Sequence, residues 1–397
     1  MRPELILIVL LLPAFAGADE VRTEFGGHTK LRVVGQSYPT DSVFYDLAGS
    51  SAVDTSAALR LKLNLRSDRW TFDSAYQLIG LHSETLSFRG LPSDDRRLFD
   101  LTHVIDSSDD AALLHRLDRL WVGYASEKAV VRFGRQALSW GNGLAYAPMD
   151  LVNPFDPAAI DTEYKAGDDM LYLQYLQDNG NDTQAAWVLR RDPLTGDVED
   201  DASTMAVKYH GFAGAGEFDL LVARSYGDTV LGVGANRSIG RAVWRADLVV
   251  TDTDLDTYAQ FVTNLMYSWI WADKNMSGAL EYYFNDFGGD LTNPDLLDRL
   301  LRGELFATGR HYIAANVLIE LSPLWNVQPN VLCNLEDPSA LLQLVTTYSL
   351  GDNLTFLGSL NVPLGPNGSE FGGLETGIPG RYLSFDASLF AQLAWYF

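Results

Sequence analysis

The chain has a single cysteine, Cys333, in 397 residues. One thiol excludes an internal disulfide framework and any cysteine-based metal site. Basic residues are scarce as well. Lys and Arg number 29 against 52 Asp and Glu, a formal charge of −23, and so acidic a chain is a poor partner for nucleic acid. The histidines (His28, His82, His103, His115, His210 and His311) show no ligand-type spacing, and none sits beside a serine in a nucleophile-elbow context. Gly232-Val233-Gly234 has no helix after it, which removes a phosphate-cradling loop. No cofactor, no metal and no enzymatic activity are expected.

Long apolar runs are missing too. Beyond Leu12 no stretch approaches the roughly 18 apolar residues of a spanning helix. The N-terminus itself reads as a secretory signal. Arg2 is a short positive region and Leu5 to Leu12 an apolar one. Ala14-Phe15-Ala16 or Ala16-Gly17-Ala18 supplies a small-residue cleavage site. Residues 1–18 are therefore expected to be a signal peptide and 19–397 a single body. No cysteine follows the cleavage region, so a lipid anchor is not expected.

What the chain has instead is aromatic residues, at 12%, abundant glycine and a mean hydropathy close to zero. Its apolar residues are spread thinly and in alternation. Arg381 to Phe397 shows this best. Leu383, Phe385, Ala387, Leu389, Ala391, Leu393, Trp395 and Phe397 fill one register, and the other is mixed. Period-two alternation of this length marks a strand between two different surroundings. A strand tilted across a bilayer needs about 9–11 residues, and an aromatic pair at its end suits an interfacial girdle.

About 18 such segments can be counted, an even number as bacterial barrels have, with 16 as the alternative count. In Ala57–Arg66, Leu59, Leu61, Leu63 and Leu65 share one face and Arg60, Lys62, Asn64 and Arg66 the other. Thr257–Trp271 places Phe261, Leu265, Tyr267, Trp269 and Trp271 opposite Gln260, Asn264 and Ser268. Leu114–Ala125 does not phase cleanly, since Arg116, Asp118 and Arg119 cover both registers, and a bulge or a strand end is expected there. The connections alternate as well. Tight turns near 67–69, 126–128, 214–216, 237–240, 272–275, 322–324 and 351–353 interleave with long loops at 80–112, 139–168, 191–203, 286–305 and 363–380. The fold class is therefore all-β: one antiparallel transmembrane barrel with short periplasmic turns and long extracellular loops. Eighteen strands enclose an aqueous channel, whereas eight are filled by side chains.

The terminal strand resembles that of bacterial outer-membrane β-barrels, which ends in Phe after alternating apolar residues. The resemblance implies that the outer-membrane assembly machinery reads this strand, and that the protein lies in the outer membrane of a Gram-negative bacterium among lipid and lipopolysaccharide. Association into homo-oligomers is compatible with it. Gly134-Arg135-Gln136 followed by Trp140-Gly141 resembles a motif of alginate-export-type porins and of other outer-membrane barrels. It covers one strand and loop, and implies a porin-like class.

The loop after that motif combines Pro148, Pro154 and Pro157 with Trp140, Tyr146, Phe155 and Tyr164, a composition that holds one shape. Trp140, Asp150, Asn153, Phe155, Asp156, Asp161 and Glu163 are the candidates for a constriction folded into the lumen. An ordered external loop closing the mouth is the alternative. Lys30, Arg32, Arg60, Lys62 and Arg66, with Arg132 across the lumen, form an inward basic row; such rows select anions in pores, and the alternative is that the row pairs with the acidic loop and neighbouring strands as satisfied ion pairs. Asp73, Asp219, Asp247, Glu281 and Asp386 are the inward acids expected opposite. The expected function is a porin-like channel for small polar, including anionic, solutes. The alternatives are a transporter or exporter of hydrophobic compounds or polysaccharide, and a structural partner of a secretion or electron-transfer complex.

Overall fold

Alternating side chains need two environments, and the computed structural model, which describes residues 21–397, supplies them by rolling the chain into a closed antiparallel barrel of 18 strands. The expected signal peptide lies outside the described residues. In order the strands are β1 (Arg22–Ser37), β2 (Ser51–Arg66), β3 (Trp70–His82), β4 (Thr102–Ser107), β5 (Ala111–Ala125), β6 (Ala129–Gln136) and β7 (Asp168–Leu176). Then come β8 (Asp182–Val188), β9 (Thr204–Ala213), β10 (Gly216–Ser225), β11 (Asp228–Ile239), β12 (Ala242–Asp252), β13 (Thr257–Trp271) and β14 (Lys274–Asn285). β15 (His311–Ser322), β16 (Trp325–Asn334), β17 (Ser339–Gly351), β18 (Leu354–Leu364), the two-residue β19 (Leu374–Glu375) and β20 (Tyr382–Leu383), and β21 (Ser388–Tyr396) complete the chain. Short helices α1 (Val43–Ala48), α2 (Leu86–Arg89) and α3 (Pro294–Arg302) lie in three of the loops.

Each barrel strand pairs with its chain neighbours, and β1 closes the ring against β21, with Leu31 opposite Leu393. Gly27 and Phe397 exchange two backbone hydrogen bonds at 2.9 and 3.0 Å. A Cβ on Gly27 would lie 2.2 Å from the Arg60 carbonyl oxygen and 2.9 Å from the Phe397 ring. Only glycine lets the terminal aromatic lie over the closing strand.

The outward register is apolar. Leu31, Val33, Leu220, Val222, Leu231, Val233, Leu265 and Leu280 are all exposed on it, a surface that water does not tolerate at this extent and lipid does. Trp271, Trp325, Trp395 and Phe397 are exposed beside the tight turns, as one aromatic girdle. No helix among the described residues is long and apolar enough to cross a membrane.

Local irregularities follow from local chemistry. In β5, Arg119 faces Ala75 and Leu117 faces Tyr76, so Asp118 is an extra, bulged residue. The bulge explains the broken phase of this strand. Pro329 lies inside β16, where the ladder to β17 is unbroken but the pairing with β15 skips Gln328 and Pro329. The missing donor costs a bond on one side only.

Two expectations change. The terminal strand starts at Ser388, not Arg381. Residues 381–387 turn instead to the 38–50 loop and the end of β1, with Tyr382 N donating to Asp41 O and Asp386 N to Ser37 O. Phe385 stacks on Phe44 at 4.7 Å, so the alternation before Ser388 serves a rim cluster. Asp386, expected among the inward acids, is accordingly exposed at the rim. The long 83–110 connection also contains β4, which was expected to be loop. β6 reaches only Gln136 and pairs with the turn-side half of β5, and β4 occupies the same edge of β5 above it.

At that step in the wall, Arg135 is 1% exposed. Its Nε and Nη2 donate to Asp169 at 2.9 Å each, Nη1 donates to Asp94 at 2.9 Å, and Nη2 also reaches Phe99 O at 2.7 Å. Asp94 also takes Leu101 N and Arg97. Burial would raise its carboxyl, but Arg135 and Arg97 outweigh this and hold it at about 2.

Candidate functional site

Residues 137–167 leave the wall after β6 and cross the inside of the barrel. Their bonds trace the path. Trp140 Nε1 donates to Gln184 on β8 at 2.7 Å. Asn142 donates through its backbone N and Nδ2 to Asp247 on β12, both at 2.6 Å. Three consecutive backbone N–H groups, of Leu144, Ala145 and Tyr146, converge on the Glu281 carboxylate of β14 at 2.6, 3.0 and 2.9 Å. Asn264 on β13 donates to Glu281 at 3.1 Å and to Asn142 O at 2.9 Å. Farther round, Gln343 on β17 donates to Ala158 O at 2.9 Å. Lys30 and Arg32 on β1 reach Asp161 at 2.7 and 2.9 Å. Tyr396 on β21 donates to Glu163 at 2.9 Å. Contacts with strands on every side mean that the loop spans the lumen.

The local sequence permits this. Gly141 has φ +95°, and a Cβ on Gly143 would fall 1.8 Å from Tyr146 O. With both glycines the backbone curls until successive N–H groups point the same way, a concavity that suits an anion. Here wall carboxylates fill it. The Trp140-Gly141 part of the motif is therefore a latch, and the Arg135 part secures the wall the loop departs from.

Packing divides the lumen. Trp140, Met149 and Val152 join Met170, Tyr172, Ala186, Val188, Ala206, Leu221, Ala223, Val230 and Val249 in one buried cluster. Tyr146 stacks on Tyr283 at 4.5 Å and meets Tyr312 at 5.2 Å within a second. These clusters fill the lumen midway along β7 to β16, whereas nearer the turns polar side chains such as Ser268, Ser277, Glu320 and Asn326 line open space. Met170, Val188, Leu221 and Val249 point inward against the loop, which no alternation of single strands reveals.

The basic side chains of β1 and β2 face the far edge of the loop. Lys30 also pairs with Glu163 at 2.8 Å. Lys62 donates to Tyr164 OH at 2.5 Å and lies over its ring, as does Arg60, at 4.5 and 4.3 Å from the ring centre. Arg60 pairs with Asp118 at 2.5 Å. Arg66 is exposed at the turn end of β2. Arg132 is on β6, a few ladders along the same wall and not across from the row, and stacks on Tyr172 and Trp121 at 5.0 and 5.4 Å. Among the acids, Asp73 accepts from Asn64 at 3.1 Å and Asp219 is held by Lys208 and His210. Asp247 and Glu281 serve the loop.

Within the loop, Lys165 Nζ donates to Asp150 at 2.5 and 2.7 Å and to Leu138 O, clasping both ends. Burial pushes the Asp150 carboxyl up to about 6 against the pull of Lys165, and burial lowers Lys165 in turn. Burial alone would raise Asp161 and Glu163, but the hydrogen bonds from Lys30 prevail and both lie below the ordinary carboxylate range. Asp156 caps Ala158 N at 2.8 Å, Asn153 adopts φ 50°, and Phe155 is partly exposed. Sequence reasoning did not single out His28, Gln77, Arg116 and Ala166, which line the same region. The one hint was the doubled register around Arg116, which the bulge at Asp118 resolves.

Fold and lumen together define a transmembrane antiparallel β-barrel of 18 strands with a loop folded across its inside. The backbone is similar to Acinetobacter baumannii OccAB4, with a TM-score of 0.56 at 7% identity over 96% of this chain and 99% of that one. It is equally similar to OccAB2 of the same organism, with a TM-score of 0.57 at 10% identity over 95% and 98%. A mutant Rh. blastica porin aligns over 95% of this chain and 100% of its own, with a TM-score of 0.48 at 9% identity. At these identities the likeness is one of fold. The sequence matches no protein-family model and no curated protein.

Proposed function

We propose that the chain is an outer-membrane channel for passive passage of small polar solutes, with anions favoured. One observation carries this reading. The 137–167 loop packs against β7 to β16 and leaves its polar edge against Lys30, Arg32, Arg60 and Lys62. Solutes then pass between a cationic wall and a loop bearing Asp161 and Glu163. That arrangement sets a field across the passage, in which cations on the wall lower the barrier for anions. Asp73 and Arg66 lie nearer the turn rim and extend the charged lining toward it.

The resemblance to alginate-export-type porins acquires a structural meaning on this reading. Arg135 is buried in the wall and Gly141 forms the latch, so these residues hold the constriction in place without selecting the solute. The apolar outer wall and the resemblance of the terminal strand to those of outer-membrane barrels support lipid and lipopolysaccharide as the surroundings and the assembly machinery as the reader of β21. Reversal potentials of the purified chain in planar bilayers under a KCl gradient test the reading. A chloride-favouring potential supports it, and a cation-favouring one overturns the anion preference.

A further inference from the structure

Beside the loop, the wet part of the lumen holds a cavity of about 250 Å³ between β1, β2, β3, β5 and loop residues Asp161, Tyr164 and Ala166. Its permanent cations are Lys30, Arg32, Arg60 and Arg116, and its carboxylates are Asp118 and Asp161. The pairing among them is lopsided. Asp161 holds both Lys30 and Arg32. Asp118 is shared between Arg60, at 2.5 Å, and Arg119, at 3.1 Å. Arg60 is 2% exposed, yet its Nε and Nη1 have no hydrogen-bond partner among the described residues. Arg116 makes one side-chain bond, from Nε to Gln77 at 2.6 Å, and pairs with no carboxylate among the described residues.

A buried guanidinium with two free N–H groups is costly unless an acceptor arrives from outside the chain. The group is also rigidly placed, since the Tyr164 ring lies 4.3 Å from its central carbon. Two guanidinium groups in one cavity, both short of acceptors, match the oxygen atoms of a small oxyanion, which each fork binds through paired N–H···O bonds. The volume equals about eight waters, room for a phosphate or a short carboxylate with part of its hydration. Asp161 does not repel such a ligand, because Lys30 and Arg32 already neutralise it.

We infer that this cavity is a retention site for one small oxyanion, held by Arg60 and Arg116 and roofed by Tyr164. The inference deepens the channel reading and rests on it, since a solute held here would lie on the conducting path. Arg116 is a binding residue on this account, although it lies outside the basic row visible in the sequence.

The test titrates inorganic phosphate, and separately acetate, into the detergent-solubilised full-length chain by calorimetry. One anion bound per chain is expected, with Arg116→Gln weakening it at least tenfold and Lys128→Gln, at an exposed turn, changing it less than twofold. Arg116→Gln removes only the Gln77 bond, so it keeps the test valid if Arg60→Gln fails to fold. No binding of either anion, or equal binding by Arg116→Gln, overturns the site. Chloride conductance of the same preparation separates the two claims. A conducting chain that binds neither anion loses the site and keeps the channel, whereas binding without conductance supports the site and removes the channel.

Discussion

Glu281 on β14 accepts the backbone N–H of Tyr146 at 2.9 Å across 135 residues of sequence, and those of Leu144 and Ala145 beside it. A wall carboxylate thus does for the loop what a bound anion does in a backbone nest. Removing it leaves three donors unpaired inside the barrel. Each charged hydrogen bond is worth about 1.5–3 kcal/mol, so Glu281→Ala should weaken loop docking by about 3 kcal/mol or more. Current recordings should show a noisier, larger single-channel conductance. Glu281→Gln, which keeps an acceptor, should lie between the two. A Glu281→Ala trace identical to wild type would remove the latch from the account.

Selectivity should follow Arg60 and Lys62. Both lie over Tyr164 on the side of the lumen that the loop leaves polar. The double variant Arg60→Gln, Lys62→Gln should lower the chloride-to-potassium permeability ratio at least twofold. Unchanged ratios would reduce the pair to ion-pair scaffolding for Asp118 and the loop.

The wall step at β6 should be fragile. Arg135 is bidentate to Asp169 and also holds Asp94 and Phe99 O. Truncating one partner of a buried pair costs about 3–5 kcal/mol. Arg135→Ala should lower stability by that order in urea unfolding from detergent. Arg135→Lys should not restore it, because an ammonium lacks the fork. Full recovery by lysine would show that charge alone is at work.

The clasp between Asp150 and Lys165 gives a pH dependence of defined sign. Burial raises the Asp150 carboxyl from 3.8 to about 6. The folded chain therefore binds this proton more tightly than the unfolded one. The contribution of this group to stability rises as pH falls from about 6 to about 4 and is lowest above 6, where the group is ionised. Two pKa units set a ceiling of about 2.7 kcal/mol. Asp161 and Glu163 work oppositely, losing their contribution at lower pH, so the comparison stops near pH 4. Urea midpoints of wild type should climb over that window relative to Asp150→Asn. Parallel curves would contradict the assignment.

Period-two alternation revealed every barrel strand, because each must separate lipid from lumen along its whole length. Even the ambiguous Leu114–Ala125 carried its bulge in the doubled register of Arg116, Asp118 and Arg119. Strand ends were harder to read. Arg381–Ala387 alternates as the true strand does, yet its Phe385 belongs with Phe44 at the rim. β4 has little alternation to display and exists because β6 stops short. The site was legible only in its parts. Trp140 and the prolines announced an ordered loop, and the basic row announced a charged face. Pairing of the basic row with the acidic loop was legible as an alternative, but nothing local singled out Asp161 as its partner or announced that Asp247 and Glu281 would hold that loop. Those partners are set by closure of the ring.

Single-channel conductance in planar bilayers, compared between the intact chain and one with residues 141–163 replaced by a short Gly-Ser linker, tests the central claim most directly. The account predicts that the intact chain conducts and that the replacement raises its conductance several-fold while weakening its preference for chloride. Equal conductance of the two, or none from the intact chain, would contradict it.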